Sequence, residues 1–202
     1  MTALQATPPH HRVILLVDVE GSTARTNAAK AALRCALYSL IEECLIKSGI
    51  REEWRDPFID RGDGILVLIH PVDHVPKTLL LTQVIPTLET LLCERGHSLR
   101  LRVVLHAGEV HYDMRGCFGE SLDIAFRLLD SVEFKQRFRR SKAPLMLVVS
   151  EDIHRAVVRH GYDGIDPQAF VRGVYVAVAG QMCVGWVCGP APCAAEPVTT
   201  SD

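Results

Sequence analysis

Arg12-Val-Ile-Leu-Leu-Val-Asp18 is an unbroken apolar run that ends in a carboxylate. A strand covered on both faces reads as a continuous hydrophobic run, whereas a half-exposed strand alternates. This segment is therefore predicted to be a central strand buried on both faces, with Asp18 emerging at the edge of the sheet.

The remaining elements follow from periodicity and punctuation. Asn27 to Ser48 repeats apolar residues at helical spacing (Leu33, Ala36, Leu37, Leu40, Ile41, Cys44, Leu45), and Gly49 is placed as a C-cap. Trp54 to Asp60 and Ile65 to Ile69 read as strands joined by Arg61-Gly62-Asp63-Gly64, a glycine-bracketed acidic turn that puts Asp63 at the tip of a hairpin. Pro76 to Glu94 reads as a second long helix, which Pro86 should kink or divide. Leu99 to His106 alternates as a strand, and Gly119 to Leu129 is helical with Leu122, Ala125, Phe126 and Leu129 on its buried face. Leu145 to Val149 is a further strand, followed by a short helix from Glu151 to His160 with Ser150 as N-cap. Val174 to Cys188 is apolar enough to suggest a membrane span, but Gly180, Gln181 and Gly185 interrupt it while Val174, Val176 and Val178 alternate, so it reads as two strands. The order predicts an α+β fold, an α/β sandwich whose mainly antiparallel sheet carries helices on one face.

A chain of 202 residues suits one domain, expected over 12-188, with a flexible leader at 1-11 and a disordered Gly/Pro/Ala-rich tail at 189-202. The formal charge of -2 gives no nucleic-acid footprint, and no nucleic acid is expected as a partner. No basic start leads into an apolar h-region, so no secretory signal is read and a cytoplasmic location is expected. Seven cysteines, an odd number without a C-x-x-C pair, point to reduced thiols, with Cys35 and Cys44 expected as small buried hydrophobes. His10, His11, His106 and His111 show no ligand spacing, and Arg137 to Lys142 reads as a solvated helix end.

Several residues could carry chemistry. Asp18 and Asp63, at the mouths of adjacent strands, are suited to present oxygens to magnesium, which takes few protein carboxylates and leaves room for substrate phosphates. Aspartate is also common in turns, so each alone is open to that plainer reading. Val19-Glu20-Gly21-Ser22-Thr23 is a small-residue loop leading into a helix, where backbone amides can converge on an anion, though it is equally a simple strand-to-helix turn. No Gly-Lys-Ser/Thr follows, so it is not a Walker loop. Arg102 could point a guanidinium fork at a triphosphate or be a solvated strand residue. Asp123 and Arg127 are four apart on one helical face, either a surface ion pair or a site where Arg127 neutralises charge on a reacting phosphoryl group.

Taken in order, these segments resemble the catalytic domain of class III adenylate/guanylate cyclases. Asp18-Val-Glu-Gly-Ser-Thr23 is similar to the family's D-I-x-G-F/S-T, and Gly62-Asp63-Gly64 to its G-D-G/A hairpin. Arg102-Val-Val-Leu-His-Ala-Gly-Glu109 is similar to R-x-G-I/V/L-H-x-G-E, and Gly119-Glu-Ser-Leu-Asp-Ile-Ala-Phe-Arg127 to G-x-x-V-N-x-A-x-R. The resemblance implies a ferredoxin-like palm and a head-to-tail homodimer with composite active sites. It implies two divalent ions, Mg2+ or Mn2+, held by Asp18, Asp63 and the Val19 carbonyl, with Arg102 on the triphosphate and Asp123 and Arg127 contributed by the other chain. The implied reaction closes a nucleoside triphosphate into a 3′,5′-cyclic mononucleotide with loss of pyrophosphate.

Four positions depart from the family pattern. Where purine cyclases carry base-reading residues, this chain has Ile59 and Gly116; Asp123 stands where the family has Asn; and a γ-phosphate Lys is replaced near Gln181. Lacking both purine codes, the chain is most similar to the pyrimidine cyclases of Pycsar anti-phage defence, which make cUMP or cCMP for a separate effector. An adenylate cyclase with an atypical base pocket, and a degenerate nucleotide-binding pseudo-cyclase, are the other readings.

Overall fold

The computed structural model describes residues 8–96 and 99–188. The expected tail and residues 1–7 of the expected leader lie outside the described residues. His10 and His11 already belong to the first strand, β1 (His10–Val19).

Chain order runs from β1 through helix α1 (Asn27–Lys47) to β2 (Ile59–Asp60) and β3 (Gly64–Ile69), then through α2 (Lys77–Leu79) and α3 (Ile85–Glu94) to the long β4 (Leu101–Asp113). Next come β5 (Gly116–Phe118), α4 (Glu120–Asp130), α5 (Val132–Arg140), β6 (Leu145–Ser150), α6 (Glu151–Ala156), β7 (Phe170–Val178) and β8 (Gln181–Cys188). The 8-stranded sheet has the order β2-β3-β1-β4-β6-β8-β7, with β5 folded back on β4. β1 lies antiparallel between β3 and β4, and β4 pairs in parallel with β6. The β2-β3-β1-β4 portion, with α1 and then α2 and α3 as its crossovers, is the ferredoxin-like unit.

Helices cover both faces of the sheet, not the one face expected. Val13, Leu15 and Val17 pack with α1, α3 and Ile153 of α6, whereas Ile14 and Leu16 pack with Leu122, Ala125 and Leu128 of α4 and Phe134 and Phe138 of α5. An apolar run on both faces requires this, since either face left bare would expose the central strand to water.

Most element boundaries fall near expectation. Thr26 caps α1 by accepting from the Ala29 amide at 3.3 Å, and Gly49, at φ 76, follows its last turn. Ser150 caps α6 by accepting from the Ile153 amide at 3.4 Å. Other places differ, among them β4, which runs on to Asp113, and β7, which starts at Phe170. Of the strand expected from Trp54, only Ile59–Asp60 forms, because Pro57 has no amide to donate to a ladder and Glu52–Trp54 is a 3-10 turn. Pro86 divides its helix as expected, by way of a π turn at Leu80–Val84 where the Ile85 amide donates to the Leu80 carbonyl. The wider turn accommodates a residue that has no hydrogen of its own. Cys35 is exposed, off the Leu33-Leu37-Cys44 stripe, while Cys44 is buried as expected. Among the described residues no helix is long and apolar enough to cross a membrane.

Candidate active site

Register builds the site. In β1, Asp18 pairs with Gly64 of β3 on one side and with Arg102 of β4 on the other. The Val19 amide donates to the Asp63 carbonyl at 3.0 Å, so Asp18, Asp63 and Arg102 converge at one end of three adjacent strands. Gly64 allows the approach: a Cβ there would lie 2.5 Å from the Val17 carbonyl oxygen. Gly62, at φ 81, makes the left-handed bend that turns Asp63 inward.

Asp18 is 9% exposed and Arg102 spans its carboxylate, Nε 2.8 Å from Oδ1 and Nη2 2.5 Å from Oδ2. Burial pushes the Asp18 carboxyl up to about 6 despite Arg102, and nearby Asp63 and Asp130 add to the rise. Desolvation thus outweighs the one guanidinium that faces the carboxyl. Ser22, 5% exposed, donates a short hydrogen bond to Asp63 Oδ2. Among the described residues no cluster of three or more His, Cys, Asp or Glu side chains could hold a metal ion by itself. Two carboxylates of this kind, with carboxylate lone pairs beyond those Arg102 occupies, fit a hard cation that keeps oxygens from a phosphate ligand.

The loop after β1 is held by Glu20 at one end and leaves backbone amides without acceptors beyond it. The Glu20 amide donates to the Arg100 carbonyl at 2.9 Å and its side chain pairs with Arg100 at 2.5 Å. Arg100 stacks on Phe138, 4.3 Å from the ring centroid, and donates to the Phe138 and Ser141 carbonyls, so Glu20 ties the loop to the end of α5. Beyond it, the amides of Gly21, Thr23 and Ala24 have no protein acceptor among the described residues, while that of Ser22 closes the turn over Glu20 and Gly21. They stand beside Asp63, before the first turn of α1.

The remaining expected site residues lie apart from this cluster. Asp123 and Arg127 are exposed on α4, and no ion pair joins them, although their spacing would permit one. Asp130, a few residues further along, is the α4 residue whose charge reaches Asp18. Within one chain, then, α4 presents Asp123 and Arg127 to solvent, not to the aspartate pair. Ile59 is half-buried against the α4-side core, and Gly116 stands exposed at φ 146 in the β4-β5 hairpin, its amide accepted by Asp113 Oδ1 at 3.0 Å. Gln181 is exposed at the start of β8.

Two further contacts escaped sequence reasoning, besides those of Glu20 and Arg102. Arg61 lies over the Phe126 ring, 4.2 Å from its centroid, and links the Asp63 hairpin to α4. Arg34 of α1 grips Asp60 with Nη1 2.7 Å from Oδ1 and Nη2 2.5 Å from Oδ2, and reaches the Gly62 carbonyl at 2.5 Å. Helical periodicity had put Arg34 on the polar side of α1, but nothing local to either segment pairs it with Asp60.

Neither protein-family models nor curated protein sequences match this chain significantly. Solved structures do resemble it. The adenylyl cyclase CyaB from P. aeruginosa superposes with a TM-score of 0.59 at 13% identity, covering 94% of this chain and 98% of its own. An adenylate/guanylate cyclase/hydrolase from Silicibacter pomeroyi gives 0.61 at 18% identity, covering 92% and 99%, and the guanylyl cyclase Cya2 gives 0.54 at 14%, covering 96% and 98%. The chain has the fold of class III cyclase catalytic domains.

Proposed function

We propose that this chain is a class III nucleotidyl cyclase, closing a nucleoside triphosphate into a 3′,5′-cyclic mononucleotide and releasing pyrophosphate. The observation that carries this reading is the strand register that sets Asp18 and Asp63 side by side next to amides lacking an acceptor. Catalytic domains of the same fold belong to proteins described as adenylyl and guanylyl cyclases, which supports the reaction class.

Asp18, Asp63 and the Val19 carbonyl would hold Mg2+ or Mn2+. When bound, such ions neutralise phosphate charge and lower the pKa of the ribose 3′ hydroxyl. The chain's residues do the positioning. Ser22 fixes the Asp63 carboxylate and Arg102 fixes that of Asp18, and the amides of Gly21 and Thr23, which have no acceptor among the described residues, would receive phosphate oxygens. The ribose O3′ forms a bond to the α-phosphorus as the bond to the bridging oxygen of pyrophosphate breaks, and the hydroxyl proton passes to water. Arg127, exposed and unpaired in one chain, would stabilise the charge gathering on the phosphoryl group from the second subunit of a homodimer, with Asp123 beside it.

The base we assign is a pyrimidine, UTP or CTP, because an apolar Ile59 and a side-chain-free Gly116 occupy the purine-reading positions. The product, cUMP or cCMP, would act as a second messenger on a separate effector in anti-phage defence. Incubation with each of the four NTPs and manganese tests the assignment, and cyclic AMP as the dominant product would reject a pyrimidine while leaving the cyclase reading intact. A second reading is a nucleotide-binding pseudo-cyclase, favoured by the carboxylate of Asp123 where an amide would donate and by the Arg102 fork already closed on Asp18. It predicts nucleotide binding with no pyrophosphate released.

A further inference from the structure

Beside Asp63 lies a cleft of about 290 Å³, lined by Ser22, Thr23, Lys30, Arg34 and Asp63 with Leu33 and Gly62 as its apolar part. It is at the small end of ligand-binding clefts and opens to solvent, a size that admits the phosphates of a nucleotide. Its two cations differ in state. Arg34 is committed to Asp60 and the Gly62 carbonyl. The ammonium of Lys30, half-buried on the same wall one turn earlier, has no hydrogen bond or ion pair among the described residues.

Lys30 is also out of place by helix rules. It sits at the N-terminal end of α1, whose first turn holds no acidic residue. A lysine there adds positive charge to the positive end of the helix dipole, which disfavours the helix. A local choice that opposes its own element is expected where a ligand compensates. Here the Lys30 ammonium and the Thr23 hydroxyl line one space, bordered by the loop that carries the unaccepted amides of Gly21, Thr23 and Ala24 and faced by the single carboxylate of Asp63, which already holds the Ser22 hydroxyl. Many donors with one carboxylate suit an anion that arrives with its own divalent cation, as a polyphosphate does.

We infer that Lys30 binds the terminal phosphates of the substrate and the pyrophosphate that leaves, an assignment that rests on the cyclase reading for the identity of the phosphates. The Arg34 grip on Asp60 fixes α1 against the hairpin, so that the Lys30 wall and Asp63 keep their spacing as the phosphates enter.

The test is calorimetric titration of the full chain with magnesium tripolyphosphate, which has neither ribose nor base and needs no turnover. Lys30→Ala should weaken binding about tenfold or more, the ordinary effect of losing a charge-assisted hydrogen bond, and Lys30→Arg should restore most of it. Because alanine favours a helix, Lys30→Ala should fold, and an unchanged melting temperature verifies that. Equal affinity in wild type and Lys30→Ala, or no wild-type binding, overturns the assignment. Cyclic nucleotide production assayed in parallel separates the two ideas. Turnover with unchanged tripolyphosphate binding in Lys30→Ala rejects Lys30 alone, whereas Lys30-dependent binding without turnover rejects the cyclase.

Discussion

Arg102 and Asp18 face each other across β4 and β1 as a two-pronged ion pair, 2.8 and 2.5 Å apart, at the end of the strands that carry the candidate metal site. The pair is nearly dry, and each partner depends on the other. Arg102→Ala leaves a buried carboxylate uncompensated and should cost about 3–5 kcal/mol of stability at neutral pH. Removing Arg102 also removes what lowers the Asp18 pKa, so the carboxyl protonates more readily and the penalty should shrink in acid. Urea denaturation at pH 7.5 and 5 measures this, and a pH-independent loss would argue against the pair as the cause.

Much of this site was legible in the sequence because it depends on where strands end. The apolar run that stops at Asp18 and the glycines around Asp63 each fix a local geometry, and adjacent strands then bring them together. Arg102 was legible as a site residue but not in its contact: strand periodicity gives the face of a side chain, not its partner across the sheet. The same limit hid Arg34-Asp60 and Glu20-Arg100, which join segments distant in sequence. Helix α5 was legible only at its end, where Arg137 to Lys142 read as a solvated helix end, and its start was missed, since Phe134 and Phe138 are the buried residues of a segment otherwise rich in charge. The one-faced arrangement of helices was also wrong, and the two-faced run at β1 held the information to correct it.

His106 should make the fold acid-sensitive. It is 2% exposed, its Nδ1 lies 2.8 Å from Ser150 Oγ, and burial pushes its pKa down to about 4, with Asp152 opposing and His11 and Lys77 assisting. A depressed pKa means that the unfolded chain takes up a proton the folded chain refuses. Stability is therefore whole above about 6.5 and is lost as pH falls toward 4, by about 3 kcal/mol from this group. His106→Asn should show a flatter dependence of unfolding free energy on pH over that range, and parallel curves would contradict the assignment.

The exposure of Arg127 on α4 makes a mixing experiment informative. Asp18→Ala and Arg127→Ala are each expected to lose activity by at least about 100-fold, the scale of removing a group that stabilises transition-state charge. If the site is shared between subunits, a mixture of the two should regain part of the activity, because one of the two sites in a mixed dimer keeps both residues. Failure to recover, with mixed dimers shown to form by mass spectrometry, would mean that each chain acts alone.

The direct test of the cyclase account is product stoichiometry, with UTP and CTP assayed beside ATP and GTP in the presence of manganese. Wild-type protein should release one pyrophosphate for each 3′,5′-cyclic mononucleotide formed, identified by mass spectrometry, and Asp63→Asn should abolish both together. No cyclic product from any of the four nucleotides, or product undiminished in Asp63→Asn, would contradict it.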